Sequence, residues 1–188
     1  AGITFVRDGG DARGASALAK ELAGEYGIDY RTPLFAIHKR GHYGGIVGFP
    51  FDSRREYREL VGKAKEEGAD FIKIMVSGLL DFAHAGTLTE EGLTEEEIQY
   101  MIGTAHDAGM AVMAHCNGNE TCRYAIRAEV DSLEHGAFME DETLLLLSES
   151  RTVWIPTFSP IGNLLGCGRF PDEEIRKNLD GQMKRVRK

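Results

Sequence analysis

Short apolar runs separated by helix-length stretches recur from one end of the chain to the other, and this alternation restricts the fold more than any other feature. A strand reached through a crossover of that length pairs in parallel with its predecessor, so repeated βα units predict an α/β protein with a parallel sheet. Strands are expected over Ile3 to Arg7, Leu34 to His38, Phe71 to Val76, Ala111 to His115, Ser132 to His135 and Val153 to Phe158. The helices between them carry their own punctuation. Ser53-Arg54-Arg55-Glu56 is a capping box opening a helix that stops at Gly68, and Thr94-Glu95-Glu96-Glu97 opens another that stops at Gly109. Further helices are expected over Ala15 to Tyr26, Glu120 to Ala128, Asp141 to Ser150 and Asp172 to Arg187.

Six βα units fall short of the eight strands and typically about 250 residues of a closed (β/α)₈ barrel. An open doubly wound sheet would place a phosphate-binding fingerprint after its first strand, and Gly9-Gly10-Asp11-Ala12-Arg13-Gly14 does not spell it. The chain starts within a strand and stops within a basic helix, without terminal caps. The expectation is a single incomplete barrel domain over residues 1–188, the interior of a larger barrel. An unclosed sheet leaves edges that seek pairing, so homo-oligomers are expected.

Composition narrows the partners. A formal charge of −8 with scattered basic residues argues against nucleic acid, and the cluster Lys184-Arg185-Val186-Arg187-Lys188 reads as a dipole-compensated helix end. The three cysteines, Cys116, Cys122 and Cys167, include no CxxC pair, which disfavours a disulfide framework or a cysteine zinc site and fits a reducing cytoplasm. No apolar run approaches the roughly 20 residues that cross a bilayer, so a membrane partner is not expected. Content of 42% hydrophobic and 28% charged residues is that of an ordinary globular chain.

Lys73 interrupts the apolar run Phe71-Ile72-Lys73-Ile74-Met75-Val76. A strand lysine by itself is more often at a sheet edge with its ammonium reaching water. Apolar flanks on both sides point instead to a strand buried on both faces, where an ammonium must be neutralised, paired or converted. Carboxylation to a carbamate is the conversion that fits, because it creates an anion able to bridge two metal ions. His115 and His135 each close a short apolar segment, and strand ends at the C-terminal face of a barrel converge on one rim, with Asp8, His38 and the loop bearing His42. Each histidine alone could be a hydrogen-bonded core or surface residue; together with Lys73 they suit Zn²⁺, Mn²⁺ or Fe²⁺. His106, on a helix, reads as solvent-facing, His84 as ordinary loop surface, and Cys116 as packing. The acidic runs at Glu95 and Asp141 complement helix dipoles.

These residues resemble the amidohydrolase superfamily, in its prolidase-like or imidazolonepropionase-like dipeptidase branch. The resemblance runs in order through 2–8, Phe71 to Gly78, Ala111 to His115, Asp131 to Gly136 and Val153 to Thr157. It implies a metal-dependent (β/α)₈ TIM barrel of which these are the second to seventh strands. Lys73 would be the carboxylated lysine, His115 and His135 metal ligands, and His42 the loop histidine that contacts substrate, although Arg40-Gly41-His42 replaces the usual Gly-Gly-His. Ser77-Gly78-Leu79-Leu80 likewise replaces a usual Ser-Gly-Gly. The implied cofactor is a divalent metal, zinc first, with one site kept here and two in the intact parent. The implied reaction is hydrolysis of an amide or peptide bond in a dipeptide or N-acyl amino acid. The first-strand His-x-His and eighth-strand aspartate of the family have no counterpart, so the chain alone is expected to be inactive. A noncatalytic barrel used for assembly, and a mononuclear deaminase with Lys73 unmodified, are the rival readings.

Overall fold

The computed structural model describes residues 2–188, and the chain divides into two compact units. One runs to Met75 and takes in Tyr100–Met113; the other comprises Val76–Gln99 and Ala114–Lys188.

In the first unit β1 (Phe5–Arg7) leads through α1 (Ala15–Ala23) to β2 (Asp29–Arg31), and the two strands pair in parallel with Phe5 opposite Asp29. Asp11 starts the helix: its two carboxylate oxygens accept the backbone N–H groups of Arg13 and Ser16, each at 2.6 Å. Burial and those two backbone bonds act on this carboxyl in opposite directions, and the bonds prevail, lowering its pKa to about 2. Next come β3 (Ala36–Lys39), β4 (Gly48–Phe51), α2 (Arg54–Glu66) and β5 (Ile72–Met75), with β3 pairing in parallel with β4 on one side and β5 on the other. The expected capping box is formed, Ser53 Oγ accepting the Glu56 N–H while Glu56 reaches back to the Asp52 N–H. The buried face of α2 is Tyr57, Val61 and Ala64, at helical spacing, and the Tyr57 hydroxyl donates to the Met101 carbonyl at 2.9 Å. Met101 belongs to α3 (Glu95–Asp107), which Thr94 and Glu97 cap reciprocally.

The second unit takes the C-terminal part of β6 (Val112–Cys116), then α4 (Asn119–Arg127), β7 (Ser132–His135), α5 (Asp141–Ser148), β8 (Val153–Ile155), α6 (Ser159–Gly162) and α7 (Asp172–Val186). β7 lies between β6 and β8, in parallel register with β8. The apolar face of α7 packs through Ile175 and Leu179 against Leu80, Ala137 and Ile161.

Four expectations are corrected. Eight strands are present among the described residues, not six: Asp29–Arg31 escapes an apolar-run criterion because both end residues are charged and exposed, and Gly48–Phe51 because it contains glycine and proline. The first strand begins at Phe5 and pairs with β2 in a two-stranded sheet of its own. The helix expected to Tyr26 gives way at Gly24 to a tighter turn closed by Gly27 at φ 66°, and the last strand ends at Ile155 because Pro156 has no N–H for a ladder.

Candidate functional site

β6 is buried at every position and delivers His115 at 3% exposure, while β7, buried over Ser132 to Glu134, ends on His135. The two imidazoles meet edge to face, ring centroids 4.7 Å apart. His115 Nε2 is 3.1 Å from the Gly78 carbonyl, which can only accept, so Nε2 carries a proton and the neutral ring would have its lone pair on Nδ1. His135 Nδ1 is 2.7 Å from the Thr157 hydroxyl. A ring nitrogen held by an oxygen partner fixes the orientation of an imidazole that binds metal through its other nitrogen.

The backbone around this pair is strained and braced. His135 has φ 71°, a region costing a residue with a side chain about 1–3 kcal/mol. Its carbonyl accepts two bonds, from Trp154 Nε1 at 3.0 Å and Gln182 Nε2 at 2.6 Å, which hold the strained turn in place. Gly136 follows at φ 61°, and a Cβ there would overlap Trp154 Nε1 and lie 2.8 Å from Met139 Cε. Asn117, fully buried, ties three segments together: its N–H donates to Ser77 Oγ, its Nδ2 to the Gly78 carbonyl, and its Oδ1 accepts the Ala137 N–H.

A cavity of about 60 Å³ opens beside the histidines, lined by His115, His135, Asn117, Thr157 and Gln182 together with apolar groups including Leu79, Leu80 and Ile161. The Leu79-Leu80 departure noted in the sequence therefore supplies an apolar wall. These leucines begin a loop that returns on itself, Leu79 and Thr89 exchanging bonds and Leu80 bridging to Leu88.

The structure thus brings His115 and His135 together. Lys73 and His42 belong to the first unit and are described with it. Lys73 is 6% exposed on β5, in register with Ala36 of β3. His42 is half-buried, its N–H bonded to the Lys39 carbonyl. His38 is buried on β3, Nδ1 donating to the Lys39 carbonyl, and Asp8 accepts the Thr32 hydroxyl at 2.9 Å. His84 is exposed and paired with Asp81 at 2.8 Å; that contact holds Asp81 below its ordinary pKa and His84 above its own. His106 is exposed on α3, and Cys116 is fully buried.

Asn117, Thr157, Trp154 and Gln182 escape the sequence reading. Gln182 had a signal: it falls at the seventh position after Ile175 and the third after Leu179, on the apolar stripe of α7, where a polar side chain needs a partner. Asn117 follows a buried strand as the alternate residue after His115 and could be suspected for the same reason.

Among the described residues no group of three or more His, Cys, Asp or Glu side chains is arranged to hold an ion. The second unit supplies two imidazoles, a donor set that suits zinc and related divalent ions, and the oriented His115 ring fits such a role. No helix among these residues is long and apolar enough to cross a membrane.

The model of the Amidohydrolase family matches residues 1–155. Ochratoxinase of Aspergillus niger is 27% identical over 149 residues, 76% of this chain and 28% of its own, and its crystal structure superposes with a TM-score of 0.75 at 21% identity over 97% of this chain and 48% of that one. A crystal structure of a Xaa-Pro dipeptidase with bound methionine covers 99% of the chain and 51% of its own at TM-score 0.73 and 25% identity. An uncharacterized protein of Mycobacterium tuberculosis is 32% identical over 82 residues, 42% of this chain and 22% of its own. The chain spans about half the length of the solved structures it matches.

Proposed function

Because the chain belongs to the amidohydrolase family and has the α/β fold of part of that family's (β/α)₈ barrel, we propose that it forms the metal- and substrate-binding portion of a metal-dependent hydrolase that cleaves an amide or peptide bond in a small substrate. A dipeptide or an N-acyl amino acid is the substrate class. The supporting observation is the His115–His135 pair, two imidazoles at adjacent strand ends with a ring nitrogen of each engaged by an oxygen.

In this reading His115 would hold a divalent ion, zinc first, through Nδ1, and His135 would do so through its nitrogen remote from Thr157. Gly78 and Thr157 orient the rings, and Asn117 keeps the Gly78 carbonyl in place. Lys73 would be carboxylated: its neutral amine adds carbon dioxide and releases one proton, giving a carbamate anion that could serve as a metal ligand. His42 contacts the substrate carbonyl region. A bound divalent ion supplies Lewis acidity, polarising the scissile carbonyl and lowering the pKa of water. The activity is that of the whole protein, whose small-molecule specificity, cytoplasmic location and self-association are part of the proposal.

Metal titration and hydrolysis assays test it. The protein should bind zinc stoichiometrically, and His115→Ala or His135→Ala should weaken binding at that site by at least 100-fold, on the order of a lost ligand's contribution. Native mass spectra should show one added carboxyl group that Lys73→Met abolishes. Hydrolysis of a panel of dipeptides and N-acyl amino acids should stop with a chelator and return with zinc. Unchanged zinc affinity in both histidine variants would refute the assignment.

A further inference from the structure

Three uncharged polar side chains line the cavity beside the histidines, and their hydrogen-bonding groups are already engaged within the protein. Asn117 donates to the Gly78 carbonyl and accepts the Ala137 N–H, and Thr157 Oγ1 is bonded to His135 Nδ1. Gln182 Nε2 donates to the His135 carbonyl, and the oxygen of that amide is buried. The rest of the lining is apolar, from Leu79, Leu80, Phe82, Ala137, Pro160 and Ile161. Among the described residues no Asp, Glu, Lys or Arg contributes to it. An ion entering such a space loses water without meeting a counter-charge, which is costly, whereas an alkyl group gains about fourfold in affinity for each CH₂ it buries.

The apolar wall is held from several directions. Leu80 and Ile161 belong to a buried cluster with Ala137 and Ile175. The Leu79 N–H donates to Thr89 Oγ1 at 3.0 Å, and the Thr89 N–H returns a bond to the Leu79 carbonyl at 2.9 Å. The loop that follows is tied to α7: Glu174 accepts the Ala85 N–H, and Asn178 accepts the Gly86 N–H and donates to the Asp81 carbonyl. Walls fixed in this way resist retreat before a larger guest. The 60 Å³ of the cavity is about twice the ~30 Å³ that one water takes up in the liquid, room for about three carbon atoms. Leu79 is half-buried, whereas Leu80 is 7% exposed and part of the cluster, so Leu79 is the lining leucine whose size can change at least cost to the core.

We propose that this cavity is the acyl subsite: it takes an uncharged, compact aliphatic group of about three carbons, and Leu79 sets the upper limit on its size. The assignment to an acyl group rests on the hydrolase reading given above; the preference for a small uncharged alkyl group rests on the cavity alone. A dipeptide carries an ammonium on the carbon beside its scissile carbonyl, and an N-acyl amino acid carries there only what its acyl chain brings. The subsite therefore selects N-acyl amino acids with short aliphatic acyl chains over dipeptides.

Small amides test the cavity without hydrolysis and without metal. Isobutyramide and alaninamide are alike in shape, differing in a methyl against an ammonium, and cyclohexanecarboxamide offers a larger aliphatic group. Each is titrated into the full chain near neutral pH, where alaninamide is largely a cation, with the leucine methyl groups labelled with ¹³C. Isobutyramide should shift the Leu79 and Leu80 methyl resonances and bind at least about tenfold more tightly than alaninamide, the equivalent of one uncompensated buried polar group. It should also bind more tightly than cyclohexanecarboxamide, which overfills the space. Leu79→Ala should bring cyclohexanecarboxamide level with isobutyramide or beyond it while the discrimination against alaninamide persists, a split that a merely structural role of Leu79 does not produce. Should that variant not fold, Leu79→Val should narrow the size gap in the same direction. Equal binding of isobutyramide and alaninamide to the wild-type protein would overturn the proposal, as would leucine methyl resonances unmoved by isobutyramide. Cyclohexanecarboxamide bound as tightly as isobutyramide by the wild type, or a size gap unchanged in the Leu79 variants, would overturn the size limit. A protein that shows both preferences yet hydrolyses no N-acyl amino acid would refute the hydrolase reading and leave the aliphatic site standing; one that hydrolyses them without the preferences would do the reverse.

Discussion

Substituting Gly136 by alanine tests the claim that the turn after His135 is a strained joint held from two sides. Glycine-to-alanine changes often stabilise by about 0.4–1 kcal/mol, because they restrict the unfolded chain. At Gly136 two opposing terms are larger. Its φ of 61° is left-handed, costing a residue with a Cβ about 1–2 kcal/mol. The new Cβ would overlap Trp154 Nε1 and come within 2.8 Å of Met139 Cε, an overpacking that costs about 1–3 kcal/mol. Displacing the indole would relieve the overlap but weaken its 3.0 Å bond to the His135 carbonyl, so the terms do not simply add. The net expectation is a loss of about 2–4 kcal/mol, or roughly 5–15 °C in Tm for a chain of this size. Gly62→Ala is the internal control: Gly62 lies within α2, a Cβ there meets nothing within 4 Å, and the same chemical change should stabilise by about 0.5–1 kcal/mol. Urea midpoints of the two variants against wild type give both signs in one experiment. Trp154 is the only tryptophan in the chain, so its emission reports the displaced ring directly. If Gly136→Ala unfolds at or above the wild-type midpoint with unaltered emission, the strained-joint reasoning is wrong.

Two other outcomes follow from buried and charged contacts. Tyr57→Phe removes the donor to the Met101 carbonyl inside a fully buried contact and should cost about 1–2 kcal/mol by urea denaturation; an unchanged midpoint would show that the bond contributes nothing. For the pair Asp81–His84, the depressed carboxyl contributes stability above its ordinary 3.8 and loses it as pH falls through the lowered value, while the raised imidazole contributes below 6.5 and loses it as pH rises through the raised value. Wild type should therefore exceed His84→Ala most in the mildly acidic range, and the difference should close in alkaline solution; a gap that widens with pH would contradict the pairing.

Local chemistry is legible in the sequence itself. The two capping boxes, the buried runs around Ile72–Met75 and Val112–Cys116, and the histidines near the ends of β6 and β7 depend on spacing of three, four or two residues, which a sequence displays directly. The strands Asp29–Arg31 and Gly48–Phe51 were hidden because their pairing with β1 and β3 comes from distant neighbours and not from their own apolar content.

The sequence alone determined the buried central strands of a parallel α/β fold, Ile72–Met75, Val112–Cys116 and Ser132–His135, and the histidines at or next to the ends of the last two, since burial leaves an apolar signature. Tertiary structure decided how the histidines are used. The tautomer of His115 depends on a carbonyl from Gly78, the turn at His135 on an indole and an amide from β8 and α7, and the cavity on leucines from a loop preceding α3. Hydrogen bonds between groups tens of residues apart leave no periodic trace in a chain, and only their meeting in space reveals them.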